Sequence, residues 1–309
     1  MKNITSLREM ATLADAPVAL GTAVNLLVLD AYQRASHDWQ KYTKIDTVPN
    51  FNDVKRVIVD TGDDDLEKVL EGEYYPEMGI TETTNTWRVV KWGRLLKVTY
   101  EMIVNDDNRK LRDLAAGVGR LAAIAESKLV TSQYSGLSVS TGYDGNPLSG
   151  TMDTTLMDKA MATYAQLTDS NGNALEIAPA YVVTPPAYRS FLESYFRPST
   201  ALDFNPYAGA AEVVENRYLT GNKIFIFPNP NDFPALELDY LKVPADPRED
   251  YSRGPRVLVD QASSAAAVLP GDVGTSGDGF RYDSISYKVR HVFGAGVVES
   301  NAILVVEFV

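Results

Sequence analysis

The sequence contains no cysteine and only two histidines, His37 and His291. Without cysteine there can be no disulfide, thiolate zinc site, iron–sulfur cluster or cysteine nucleophile. The two histidines are far apart in the sequence and no H-E-x-x-H motif is present, so we predict no metal site, no cofactor and an ordinary structural role for each. The longest uncharged stretch near the N-terminus, Ala16 to Leu29, is shorter than the roughly 20 apolar residues that span a bilayer, and we expect no membrane contact.

Basic residues are outnumbered by acidic ones. The chain of 309 residues has 29 lysines and arginines against 41 aspartates and glutamates, which gives a net charge of −12. Such a surface repels phosphate backbones, so tight general binding of nucleic acid is not expected. Hydrophobic residues make up 45% of the chain, which is ordinary for a globular protein of one or two domains. The first residues lack the apolar core of a secretion signal, and we expect a soluble protein made inside the cell.

Residues 51–100 are predicted to form a long hairpin with an irregular middle. Valines and aromatic residues crowd both of its ends, near Val54 and from Trp87 to Tyr100, as in β-strands. One limb is acidic from Asp60 to Glu77, whereas the other is basic. A two-stranded ribbon is marginally stable alone, so we expect a partner to cover it.

The clearest predicted element is a long helix of about 30 residues that runs from Asp107 to Ser135. Asn105, Asp106 and Asp107 offer N-cap side chains, and Gly136 supplies a stop. Apolar residues recur at steps of three and four and are expected to be buried within the subunit; they are Leu111, Leu114, Val118, Leu121, Ala125 and Leu129. Gly117 and Gly119 indicate a bend or a close backbone contact.

Further elements flank this helix. Residues 1–50 are predicted to form an arm and a helix, because apolar residues recur at helical spacing between Leu20 and Trp39. A second helix is predicted from Asp153 to Leu167, and short strands follow after Ile177, where prolines are frequent.

The end of the sequence is predicted to form a strand pair. Arg281 to Phe293 and Val297 to Val309 have the composition of strands, and Gly294-Ala295-Gly296 between them is typical of a hairpin turn.

Two catalytic or metal-binding hypotheses centre on one acidic turn. Val59-Asp60-Thr61-Gly62 resembles the active-site turn of aspartic proteases, but only one copy is present, so a homodimer would be needed. A carboxylate-dependent hydrolase that uses Asp60 is therefore an unfavoured alternative. The neighbouring aspartates lack the spacing of a calcium loop. We assign no catalytic and no metal-binding residue and predict that the protein is not an enzyme.

The basic residues after the acidic run, interleaved with Trp87, Trp92 and Tyr100, are compatible with single-stranded nucleic acid or with a protein partner. A step of three along a strand sends these charges to alternating faces, so we favour contact with protein. The predicted subunit-interface residues are Asp63, Asp64, Asp65, Arg88, Lys91, Trp92, Arg94 and Lys97.

Four segments carry a resemblance to a known family. They are Glu71–Gly79 (EGEYYPEMG), Val90–Asp107, Leu114–Glu126 and Tyr287–Gly296 (YKVRHVFGAG). Their order resembles that of tailed-phage major capsid proteins, closest to the Mu-like major head subunit group. The resemblance implies an α+β fold, the tailed-phage major capsid protein fold, which encapsulins and herpesvirus capsid floors share. It would comprise an N-terminal arm, an extended β-hairpin loop, a long spine helix, a peripheral domain and an axial domain.

The resemblance also implies domain boundaries. These are 1–50 for the N-terminal arm and helix, 51–100 for the extended loop, 101–178 and 263–309 for the two parts of the peripheral domain, and 179–262 for the axial domain. It further implies self-assembly into hexamers and pentamers of an icosahedral shell that encloses double-stranded DNA without gripping it. Assembly would take place in the host cytoplasm, and scaffolding, portal and decoration proteins are possible separate partners. An encapsulin-like nanocompartment is the alternative.

Overall fold

The computed structural model describes residues 16–61, 71, 74, 80–99, 105, 108–169, 172, 174–197, 206–246, 249–259 and 284–309. The helices in these ranges are α1 (Ala16–Gln33), α2 (Asn108–Tyr134), α3 (Thr154–Tyr164) and α4 (Arg189–Tyr195), with short 3₁₀ turns at Asp38–Lys41 and Pro186–Tyr188. The strands are β1 (Lys44–Val48), β2 (Val54–Thr61), β3 (Ile80–Trp87), β4 (Val90–Thr99), β5 (Ser149–Gly150), β6 (Tyr181–Thr184), β7 (Glu212–Glu215), β8 (Lys223–Phe227), β9 (Leu236–Leu241), β10 (Arg256–Val259), β11 (Ser284–Val297) and β12 (Leu304–Phe308).

The fold is α+β, with two five-stranded sheets and a separate two-stranded sheet among the described residues. One sheet joins β1, β9, β11, β10 and β4, and the other has the order β5-β12-β8-β6-β7. The strands within the predicted axial range, 179–262, divide between these sheets: β6, β7 and β8 belong to the second, whereas β9 and β10 belong to the first. The domain boundaries stay a prediction.

Helix α2 confirms the predicted long helix, but its buried face is not the predicted stripe. Leu121 is 45% exposed and Leu114 is exposed as well. The buried positions are offset by one or two residues and include several small side chains; they are Ala115, Gly119, Ala123, Glu126, Val130 and Tyr134. The prediction was wrong for Leu114 and Leu121, whereas Ala125 and Leu129 are partly buried against the core. Spacing marks every apolar stripe on a helix without showing which one faces the core. Asp106, Asp107 and the side chain of Leu111 lie outside the described residues.

Small residues on α2 allow α1 to pack closely against it. A Cβ atom on Gly119 would lie 2.3 Å from the carbonyl oxygen of Val28, whereas one on Gly117 would meet no atom within 4 Å. The expected close backbone contact is therefore found at Gly119. On α1, Val28 and Tyr32 are buried at the same contact.

Strand β11 is the centre of the first sheet. It pairs antiparallel with β4 along Ser284–Phe293, with β10 along Tyr287–Arg290, and with β9 along Phe293–Val297. Since the residues paired with β10 also pair with β4, these two strands flank β11 on opposite sides. Tyr287, Val292 and Phe293 are buried.

The predicted C-terminal hairpin is wrong. Gly294 and Gly296 lie inside β11, and β12 pairs with β8 and β5 in the other sheet. These glycines permit a close approach rather than a turn. A Cβ on Gly294 would lie 2.3 Å from the carbonyl oxygen of Arg88, and one on Gly296 would lie 2.2 Å from the Trp87 ring.

Helix α3 begins as predicted. Asp153 is its N-cap, and its carboxylate accepts a hydrogen bond from the backbone N–H of Leu156 at 2.9 Å. The helix covers an apolar cluster on the second sheet that includes Met157, Ile226 and Val306. Among the described helices, none combines the length and the hydropathy needed to cross a membrane.

Candidate subunit interface

The hairpin formed by β2 and β3 is the ribbon that the sequence indicated, but its second limb is shorter than predicted. Val54 to Thr61 pairs antiparallel with Ile80 to Trp87. Strand β4, which was predicted to continue this limb, leaves the hairpin and pairs with β11 for ten residues. The physical reason is that β11 is a buried central strand with an open edge, whereas a hairpin partner would leave β4 uncovered on both faces.

Much of the hairpin surface is uncovered. Among the described strands, none pairs with either of its outer edges. Val57 is 50% exposed although it lies in a strand, and Thr84 opposite it and the adjacent Thr83 are exposed too. An isolated two-stranded ribbon of this kind has no buried face of its own and gains stability when another surface covers it.

The foot of the hairpin (Val54–Arg56 and Asn85–Trp87) is fastened to the body by polar contacts. Arg56 on β2 forms a two-pronged ion pair with Glu237 on β9, and its Nη2 donates to Asp46 Oδ2 at 3.0 Å. Trp87 on β3 donates from Nε1 to Asp239 Oδ2 at 2.6 Å. Both limbs are thus held by neighbouring carboxylates on one strand of the body.

Burial raises the pKa of Asp239 to about 6, and the nearby charge of Glu237 adds to the effect, while the Trp87 hydrogen bond opposes it. Asp46, Glu237 and Asp239 place oxygen atoms within 4.8 Å of one another, close enough to hold a metal ion. Arg56 already supplies a positive charge to this cluster, so we assign it a structural role.

Strand β4 and the loop before it carry the predicted basic interface residues. Arg88 lies in the loop after β3 and forms an ion pair with Asp53 at 2.6 Å. The Lys91 ammonium lies over the Phe51 ring, 4.9 Å from its centroid. These cations are therefore spread along the body next to the foot of the hairpin. Asp63, Asp64 and Asp65, the predicted acidic counterparts, lie outside the described residues.

Trp92 and Arg94 lie on the face of β4 that turns towards α2. The Trp92 ring stacks on Phe293 with a centroid distance of 5.4 Å. Lys97 lies on the opposite face together with Leu95, which is 63% exposed. The alternation expected for a strand is found, with Arg94 and Lys97 on opposite faces. Pairing with β11 places both residues on the body rather than on the hairpin.

A groove of about 330 Å³ separates β4 from α2. Trp92 and Arg94 line one wall, and Leu121, Ala125 and Lys128 line the other. Sequence reasoning missed this groove because it treated the Leu121 stripe as subunit core. The signal that could have found it is the row of small residues one position away, which marks the closer-packed face of the helix.

The protease-like motif begins within strand β2, and its last residue, Gly62, lies outside the described residues. Asp60 and Thr61 are the last residues of β2 and pair with Thr81 and Ile80 of β3.

A comparison with protein families identifies the family of this chain. Residues 82–306 match the model of a family described as phage capsid protein. The chain belongs to this family. The match covers more than half of the phage capsid chain, from β3 into β12, and establishes it as a major capsid shell protein, a structural protein of a bacteriophage particle. It does not test the Mu-like subgroup, which stays a prediction.

Solved structures share the capsid fold at low sequence identity. The virus-like particle protein from Pyrococcus furiosus is 11% identical with a TM-score of 0.52, and the alignment covers 93% of this chain and 99% of that one. The capsid of a native GTA particle is 11% identical with a TM-score of 0.54, and the alignment covers 89% of this chain and 91% of that one. A Gordonia phage Cozz protein is 15% identical with a TM-score of 0.52, and the alignment covers 89% of this chain and 90% of that one. No curated protein sequence matches this chain.

Proposed function

We propose that this chain is the repeating subunit of an icosahedral phage head, arranged as hexamers and pentamers, and that it encloses double-stranded DNA without catalysis. The hairpin carries the proposal, because Val57 and its neighbours are left uncovered by their own chain. A contact between the hairpin of one subunit and a different surface of the next is heterologous. Repetition of such a contact about a closing rotation forms rings, from which a shell is built.

We place the receiving surface along β4 and the groove beside α2. Trp92 and Leu121 expose apolar surface at the groove, and Leu95 does so on the opposite face of β4. Large exposed apolar side chains that lie close together, as Trp92 and Leu121 do, mark sites of protein contact.

Charge supports the same arrangement. Arg94 and Lys97 lie on β4 of the body, and the run from Asp60 to Glu77 contains eight acidic residues and one lysine. A basic strand and an acidic segment of a neighbour would steer association and fix its register. Each exposed pair would add only about 0–1 kcal/mol, so apolar burial supplies most of the affinity.

The net charge of −12 suits a container for DNA, because the wall confines the polymer without binding it tightly. Scaffolding, portal and decoration proteins are proposed as separate partners, and the host cytoplasm is the proposed place of assembly. After assembly the protein is located in the virion.

The test is electron microscopy of the purified full-length protein and of a double variant, Arg94→Glu with Lys97→Glu. We expect shells or capsomers from the wild type and folded, unassembled subunits from the variant. A control that changes the charge equally, Arg217→Glu with Arg253→Glu, alters exposed cations away from β4 and should assemble. Normal particles from the β4 variant would contradict the placement of the interface.

The contents of particles separate the head from its nearest alternative. Double-stranded DNA inside the particles supports a phage head, whereas an enclosed enzyme without DNA would favour a nanocompartment. For the hydrolase hypothesis, Asp60→Asn should leave assembly unchanged. Loss of a measurable hydrolytic activity in this variant would revive that alternative.

A further inference from the structure

Both histidines of the chain meet at one buried carboxylate. The side chain of Glu126, in the middle of α2, is fully buried. His291 Nε2 lies 2.6 Å from Glu126 Oε1, and His37 Nδ1 lies 3.5 Å from Glu126 Oε2. The sequence separation of the histidines had argued against a shared site, but the fold brings them to the same group.

Two tyrosines complete the shell around this carboxylate. Tyr32 and Tyr240 donate their hydroxyl hydrogens to Glu126 Oε1 at 2.8 and 3.0 Å. Tyr32 belongs to α1, and His37 follows that helix and bonds to the Tyr32 carbonyl oxygen through Nε2 at 2.9 Å. Two of the four groups around Glu126 therefore belong to α1 and its C-terminal extension, while Tyr240 and His291 belong to the sheet.

The charge of this cluster depends on a proton. A buried carboxylate without a compensating positive charge is costly, since neutral tyrosines solvate it only in part. Among the described residues, the only groups within 4 Å of Glu126 that can supply such a charge are His37 and His291. The side chain of His37 is 13% exposed and that of His291 is 3% exposed, so His37 has the easier exchange with solvent.

We propose that Glu126, His37 and His291 form a proton-dependent clasp that holds α1 against α2 and the first sheet. The clasp is closed while His37 carries a proton and faces the ionised Glu126. It weakens when His37 becomes neutral, because Glu126 then loses a positive partner on the α1 side. Since α1 covers the Gly119 face of α2, opening the clasp exposes small residues of the long helix.

The directions of two pKa shifts agree with this geometry. The Glu126 carboxylate, whose Oε2 lies 3.5 Å from His37 Nδ1, raises the pKa of His37 above its ordinary 6.5, although burial opposes the change. Burial alone would raise the pKa of Glu126, but the contacts with His291 and His37 outweigh it, and the pKa is lowered from 4.5.

The sign of the pH dependence follows from these directions. A raised histidine pKa stabilises docking fully below about pH 6.5, and this contribution is lost as the pH rises through the docked-state pKa. A lowered carboxylate pKa stabilises docking above about pH 4.5, and this contribution is lost as the pH falls through the docked-state pKa. The clasp is thus strongest between these two values.

Other ionisable groups face the cluster without replacing its charges. Asp38 adds negative charge near His37, but its carboxylate accepts a hydrogen bond from Ser36. The Tyr251 ring lies 6.2 Å from the His291 ring, centroid to centroid. Arg290, next to His291, points to Tyr251 and Glu249 instead. Burial raises the pKa of Tyr32 and Tyr240, so both act as neutral donors.

The first test uses the full-length unassembled protein and the two histidine ring signals in proton NMR, assigned with His37→Gln. We expect His37 to titrate above pH 6.5 in the wild type and to return towards 6.5 in Glu126→Gln. A His37 signal that titrates at the same pH in both proteins would overturn the proposal.

The second test measures hydrogen exchange of α1 between pH 6 and 9, corrected for the intrinsic rate. The opening constant of α1 should rise roughly tenfold for each unit by which docking raises the His37 pKa. His37→Gln should abolish this rise even if Glu126→Gln fails to fold. Glu212→Gln, an exposed carboxylate bonded to Lys41 at 2.6 Å, is the control that should keep it. A wild-type pH response in His37→Gln would refute the clasp.

Discussion

The hairpin and strand β4 are neighbours in sequence and were expected to form one ribbon, yet they have opposite relations to their own subunit. Strand β4 is built into a five-stranded sheet, where Leu96 is 5% exposed and pairs with Tyr287. The hairpin pairs only with itself among the described strands, and Val57 is 50% exposed. The comparison teaches that one surface is completed within the chain, whereas the other is left open, and we propose that a second copy covers it.

Substitutions within β4 should have the largest effect on the subunit. Leu96→Asp places an unpaired charge in the core and should lower the free energy of unfolding by about 3–5 kcal/mol. Leu95→Asp, one residue earlier on the exposed face, should change it by at most about 0.5 kcal/mol. Chemical denaturation of both variants measures the difference. Equal losses would show that β4 does not have one buried and one open face.

The contact between α1 and α2 offers a second matched pair, on a surface that is also completed within the chain. Gly119→Ala should destabilise the subunit by about 1–3 kcal/mol, because its Cβ would overlap the backbone of Val28. Gly117→Ala should stabilise it by up to about 1 kcal/mol, since alanine is the better helix former and nothing obstructs its Cβ. Thermal unfolding measures both. Shifts of the same sign would contradict the packing of α1.

The foot of the hairpin is intermediate between the buried strand β4 and the exposed middle of the hairpin. Arg56→Ala leaves Glu237 buried without its cation and should destabilise the fold by about 1–3 kcal/mol, whereas Lys55→Ala, an exposed neighbour, should have little effect.

Because the pKa of Asp239 is raised to about 6, its contribution to stability should fall as the pH rises from about 4 to 6. Asp239→Asn should remove that slope in denaturation curves recorded across this range. An unchanged slope would argue against the buried carboxylate pair.

The smallest effect on the subunit is expected in the middle of the hairpin. Val57→Asp should alter the free energy of unfolding by no more than about 0.5 kcal/mol, because the side chain is half exposed. It should nevertheless prevent assembly, since a charge would enter the contact with the next subunit. Sedimentation together with denaturation separates the two effects. Assembly of Val57→Asp at the wild-type level would contradict the claim that the hairpin contacts the next subunit.

The sequence was most informative where a pattern was local. Helix α2 begins and ends within one residue of its predicted limits, and α3 begins one residue after the predicted Asp153, which is its N-cap. The partner of β4 could not be predicted, because it is set by the open edge of β11, almost 200 residues later. The glycines of β11 were interpreted as a turn, whereas the structure explains them by close contacts: Gly294 lies against the backbone of Arg88, and Gly296 lies against the ring of Trp87.

The positions of the predicted interface residues could not be derived from the sequence, and their role in an interface stays a prediction. Arg94 and Lys97 belong to the body rather than to the hairpin, because strand pairing depends on tertiary contacts. Likewise, His37 and His291 are unremarkable in the sequence and meet only because α1 and β11 pack on the two sides of Glu126.

The most direct measurement uses the absence of cysteine from the natural sequence. Val57→Cys introduces a single thiol on the hairpin, and its reaction rate with a maleimide can be compared between dissociated subunits and assembled particles. Rapid labelling of subunits and strong protection in particles is the predicted result. Equal labelling in both states would contradict the claim that a neighbouring copy covers the hairpin.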